Sequence, residues 1–63
     1  MTLYRIYRLD PAGHITDAFP VECRSDDVAL NAARWVWQWA ASVEVWEGSR
    51  RIARLAPDRL RIH

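Results

Sequence analysis

The sequence predicts an α+β domain: a four-stranded antiparallel sheet, ββαββ with strand order 2-1-3-4, and one helix packed on one face. Three observations carry this. Alternating apolar stretches flank the turn signal Asp10-Pro11-Ala12-Gly13, and two more flank Glu47-Gly48-Ser49-Arg50. Between the two pairs, Ser25 to Ala41 carries apolar residues at helical spacing. A helix running back along the second strand sends the third strand the same way as the second. The third then pairs antiparallel with the first, and a right-handed crossover leaves the helix on one face.

Leu3 to Leu9 is rich in aromatic and branched residues and reads as the first strand. Leu3, Tyr7 and Leu9 share one face, Tyr4 and Ile6 the other, so both faces are substantially apolar. A two-sided strand belongs in the middle of a sheet with something on each side. At the turn, Asp10 starts, Pro11 presets φ and Gly13 supplies positive φ. His14 to Cys23 reads as the return strand, with Ile15, Phe19 and Val21 alternating against Thr16, Ala18 and Glu22. Pro20 has no N–H for a ladder, which makes this strand an edge or places a bulge there.

Ser25 is suited to cap the helix, and Asp26 and Asp27 suit the positive end of its dipole. At about 100° per residue, Ala29, Ala32, Ala33, Val36 and Ala40 form one stripe, with Asn31, Arg34 and Gln38 opposite. Trp39 with Val28 flanks the stripe on one side and Trp37 with Leu30 on the other, where the two indoles seal the edges of a small core. Trp35 points nearer the polar face. On the functional reading Trp35, with Trp37, is an exposed anchor for a partner.

Ser42 to Trp46 alternates as the third strand, and Arg51 to Leu55 returns as the fourth. A two-residue Gly48-Ser49 loop sets Glu47 opposite Arg50, Trp46 opposite Arg51, Val45 opposite Ile52 and Glu44 opposite Ala53. That register gathers Val43, Val45 and Ile52 on one face and puts an arginine against an indole on the other. Ala56-Pro57-Asp58 breaks the strand. Residues 56–63 form a short fifth strand, a tail across the uncovered face, or a frayed end. The 63 residues make one domain, 1–63.

A chain this short buries only about 60% of the surface its unfolded form exposes, so large aromatics matter. All nine of its Lys/Arg residues are Arg, and nine residues are Ala, a pattern that a GC-rich coding bias produces. The single cysteine, Cys23, excludes an internal disulfide and fits a reducing cytoplasm. No stretch reaches transmembrane length, so the expectation is a cytoplasmic protein without a membrane partner.

The segment Glu44-Val45-Trp46-Glu47-Gly48-Ser49-Arg50-Arg51-Ile52-Ala53-Arg54-Leu55 resembles the ending of a family of short uncharacterised proteins from GC-rich proteobacteria. The likeness extends to a Tyr-Arg-x-Tyr strand (Tyr4-Arg5-Ile6-Tyr7), an Asp-x-x-Gly turn (Asp10 to Gly13) and a helix opened by Ser25-Asp26-Asp27. It covers about residues 4–55. The shared motifs are structural, no activity goes with them, and no catalytic or binding residue carries over. The triple tryptophan and the tail after Leu55 depart from the pattern.

Residues capable of chemistry are few. Cys23 and His14 are the only nucleophile–base candidates, and they lie on one strand at opposite parity. One Cys and two His supply no recognised metal spacing, so neither metal nor cofactor is expected. Gly13 and Gly48 are the only glycines, too few for a phosphate-cradling loop. Residues 50–63 carry Arg50, Arg51, Arg54, Arg59 and Arg61 against Asp58, a formal +4 without His63 and the terminus.

These residues lead to a non-enzymatic protein–protein interaction module that self-associates, most simply as a homodimer. Tyr4, Ile6, Trp35, Trp37 and Trp46 are the candidate partner-binding residues, because one helix covers only one side of a two-sided sheet. The alternative is a nucleic-acid-associated module using Arg50, Arg51, Arg54, Arg59 and Arg61 beside Trp46.

Overall fold

The structure, a computed structural model, describes residues 1–57. Its elements are β1 (Thr2–Leu9), β2 (Ile15–Cys23), α1 (Asp26–Trp37), β3 (Ser42–Glu47) and β4 (Arg50–Leu55). The strands form one antiparallel sheet in the order β2-β1-β3-β4, with α1 packed on one face, as the sequence predicts. The expectations for the tail beyond Pro57 lie outside the described residues.

The first turn closes through Asp10. Its Oδ1 accepts from the backbone N–H groups of Ala12 and His14, both at 2.9 Å, while Gly13 takes φ +89°. The His14 N–H bond, first among several, holds the Asp10 carboxyl below the usual carboxylate range. The β1–β2 register runs unbroken through Arg5–Pro20, so Pro20 marks an edge strand and not a bulge. The irregularity falls instead beside the turn, where Arg8 pairs with Asp17 but Leu9 pairs with Ile15. Thr16 is the extra residue, and its Oγ1 donates to the Arg8 carbonyl at 3.1 Å. A bulge reverses parity beyond it, so Ile15 leaves the face that Phe19 and Val21 share.

In α1, Ser25 Oγ accepts from the Val28 N–H at 3.4 Å, as an N-cap should. Ala29 and Ala33 are fully buried, and Ala32, Val36, Trp37 and Ala40 pack around them. Small side chains here let the helix lie close to Tyr4, Ile6, Val43 and Val45, which complete the core with Cys23. Tyr4 and Ile6, expected on a partner face, are 3% and 1% exposed. The helix lies on their side of β1, so they present no surface to a partner.

The helix stops at Trp37. Gln38, Trp39 and Ala40 donate to carbonyls three residues back, and such bonds wind the chain faster than an α-helix. Trp39, beyond the last α-helical residue, does not seal the core. Trp39 is 75% exposed and its expected companion Val28 45%. Trp37 does seal it. It is half-buried against the core, and its indole N–H donates to the Ala41 carbonyl at 3.4 Å.

The second hairpin has the predicted two-residue loop, with Glu47 opposite Arg50 and Trp46 opposite Arg51. Gly48 takes φ +59° at the first loop position, as a type II′ turn requires. Beyond Trp46 the register shifts, so Val45 meets Ala53, Glu44 meets Arg54 and Val43 meets Leu55. The expected pairs Val45–Ile52 and Glu44–Ala53 do not form, because Ile52 is the extra residue of a bulge. Ile52 and Leu55 both pack on the core beside α1.

Candidate functional site

Two surfaces follow from this arrangement, one on the helix flank and one on the sheet face that α1 leaves open. Their orientation is set partly by a polar cluster where β1, α1 and the second hairpin meet. The Tyr4 hydroxyl donates to Asp26 Oδ1 at 2.7 Å, and Arg50 donates to both oxygens of the same carboxylate at 3.3 Å. Arg50 also donates to Glu47 Oε1. The Arg50 bonds first, then that of Tyr4, hold the Asp26 carboxyl below the usual range. The bond to Asp26 pushes the Tyr4 phenol up to about 12. Arg50, expected as a nucleic-acid contact, therefore ties the helix N-terminus to the hairpin.

The Asp26–Arg50 pair turns one flank of α1 toward β4. The opposite flank overlooks β2, because Arg8 donates to the Trp39 carbonyl at 3.5 Å and also pairs with Asp17 of β2. That flank carries Val28, Ala32, Trp35 and Trp39, spaced four, three and four residues apart, an apolar stripe beside the buried one. Trp35 is 72% exposed, and Phe19 on the helix side of β2 is 38% exposed. Of the tryptophans expected to bind a partner, Trp35 is thus on the surface and Trp37 in the edge of the core. Trp39, which the sequence reading placed in the core rim, joins Trp35.

On the open face the registers align side chains in rows across the strands. Arg5, Trp46 and Arg51 stand opposite one another on β1, β3 and β4, and the next row is Tyr7, Glu44 and Arg54. Glu44 is largely covered. It accepts from the Trp46 indole N–H at 2.9 Å and from Arg51 at 3.5 Å, with Arg54 at 4.0 Å. Tyr7 and Trp46, diagonal neighbours on the two central strands, line a hollow of about 310 Å³ with Ile15, Glu44 and Gly48. The sequence reading found Trp46 with Arg51 and Arg54 but missed Arg5 and Tyr7. Only the β1–β3 register places them there. Arg59 and Arg61 lie outside the described residues.

Cys23 ends β2 and is buried, whereas His14 precedes that strand and is exposed, so the structure does not bring them together. Among the described residues no group of three or more His, Cys, Asp or Glu is placed to hold a metal ion, and no helix is long and apolar enough to cross a membrane. No family model, curated protein or solved structure matches the chain.

Proposed function

We propose that this protein is a non-enzymatic interaction module that self-associates through the β2-side flank of α1. The observation that carries the reading is the exposure of Trp35 and Trp39, 72% and 75%, on one flank of one helix. Together the two indoles leave on the order of 300 Å² of mostly apolar surface in water. With Val28 and Phe19 beside them, this approaches the largest apolar patch a soluble monomer usually carries.

A second copy of the same chain suits this flank. On this flank Val28 and Trp35 lie seven residues apart, so two helices packed antiparallel about a two-fold axis set each Val28 against the Trp35 of the second copy, and the contact recurs by symmetry. The two indoles supply less than half of the roughly 800 Å² per partner of a standard interface, which points to a dimer of micromolar affinity.

Sedimentation at tens of micromolar tests the reading. The expected result is a mass approaching twice the 7.4 kDa chain, falling to that of the chain in a Trp35→Ser, Trp39→Ser variant. A wild-type mass of 7.4 kDa at that concentration overturns it.

A further inference from the structure

We infer that the open sheet face binds single-stranded nucleic acid, with one base stacked on Trp46, the next on Tyr7, and phosphates held by Arg5, Arg51 and Arg54. The inference does not rest on the helix-flank dimer, because it uses the opposite side of the sheet.

The row Arg5–Trp46–Arg51 carries the argument. Adjacent strands lie about 4.8 Å apart, so a guanidinium stands on each side of the indole within roughly 5 Å of backbone spacing. Tyr7 is one residue pair along, on the neighbouring central strand. Diagonal neighbours of this kind are about 7–8 Å apart at Cα, a separation that lets two successive unstacked bases each find an aromatic partner. Stacking on aromatic side chains combined with a cationic track is how sequence-tolerant single-strand binding works.

The charge pattern selects among occupants. Three arginines surround the two rings, against one carboxylate in the two rows, Glu44, which accepts from the Trp46 N–H and from Arg51 and stands 4.0 Å from Arg54. Glu44 offsets one of the three positive charges, and a formal surplus of two remains at the rim. A cationic ligand is repelled by that surplus. A second copy placed face to face sets arginines against arginines. A polyanion bearing planar rings meets both features of the surface. The sites on Arg5 and Tyr7 also separate this inference from the Arg-rich tail: the platform is complete without residues beyond Arg54.

The test is fluorescence anisotropy of the full chain with labelled twelve-nucleotide poly-U and poly-T strands at 50 mM and 200 mM salt. Saturable binding is expected at the lower salt, weaker at the higher, with weaker binding to a duplex of the same length. Trp46→Ala and Tyr7→Leu should each weaken binding about tenfold, within the range that stacking on one base supports. Arg51→Ala should reduce the slope of log affinity against log salt by about 0.7. Should Trp46→Ala lose its circular-dichroism signature, Tyr7→Leu and Arg5→Ala decide the matter. Absence of saturable binding at 50 mM salt overturns the inference. Equal affinity for inorganic polyphosphate, or binding unchanged in the Tyr7 and Trp46 variants, overturns it too, by reducing the face to a basic patch.

Discussion

The Tyr4 hydroxyl donates to Asp26 Oδ1 at 2.7 Å, so the central strand holds the first turn of the helix from beneath. Tyr4→Phe removes that donor without changing the packing of the ring. It should lower the urea midpoint, because the Asp26 carboxylate loses a donor to its charged form. The pH dependence has two limbs. Asp26 has a depressed carboxyl, so its contribution is present above the unfolded value near 4 and is lost as pH falls through the folded value. Tyr4 is raised to about 12, so its contribution is full below its ordinary value of about 10 and fades as pH rises toward 12. Denaturant midpoints at pH 9 and 11.5 should drop between the two for the wild type, and by less for Tyr4→Phe. An equal drop in both would place the alkaline sensitivity elsewhere.

Ala33 and Arg34 test which way the helix faces. Ala33 has no exposed surface, whereas Arg34 is exposed. Ala33→Leu should overpack the contact with the sheet and cost about 1–3 kcal/mol. Arg34→Ala should change stability by less than about 0.5 kcal/mol. Both replacements are good helix formers, so urea midpoints of the two variants compare facing alone.

Trp37 and its neighbours on either side divide by the same measurement. Trp37→Ser opens the edge of the core and leaves the Ala41 carbonyl without its donor, for an expected cost of about 2–4 kcal/mol. Trp35→Ser and Trp39→Ser change exposed side chains, so at concentrations below the dimer range each should stay within about 0.5 kcal/mol of the wild type. Thermal or urea melts at sub-micromolar protein would show the division, and a costly Trp35→Ser would mean that this indole is packed within its own chain.

Gly48 offers a backbone test free of packing. Its φ is +59°, and a Cβ placed there meets nothing within 4 Å. Gly48→Ala should therefore cost about 1 kcal/mol from the positive φ alone. Gly48→Asn should cost less, because asparagine follows glycine at the positive-φ positions of such turns. Equal costs for the two would point to a turn that has relaxed to another type.

The strand order, the single helix and its alanine stripe, the Asp10 turn and the two-residue Gly48-Ser49 loop were all legible in the sequence. The helix and the turns depend on local chemistry, a cap, a turn residue with a required φ, or a period of 2 or 3.6, and the strand order follows from how those elements connect. Three things were decided by the tertiary structure. The side of β1 under the helix was one, because Tyr4 and Ile6 are no more apolar a pair than Leu3 and Tyr7, and only docking buries one pair beneath Ala29 and Ala33. The bulges at Thr16 and Ile52 were another. A single extra residue reverses parity for the strand beyond it, and nothing in the local sequence announces it; the gain is that Leu55 and Ile52 both reach the core. The third was the site itself. Arg5 and Tyr7 lie some forty residues from Trp46 in the chain, and they become its neighbours only through the β1–β3 register. That register is a long-range pairing, set by where the hydrophobic face of each strand is buried and therefore not written in any one stretch of the chain.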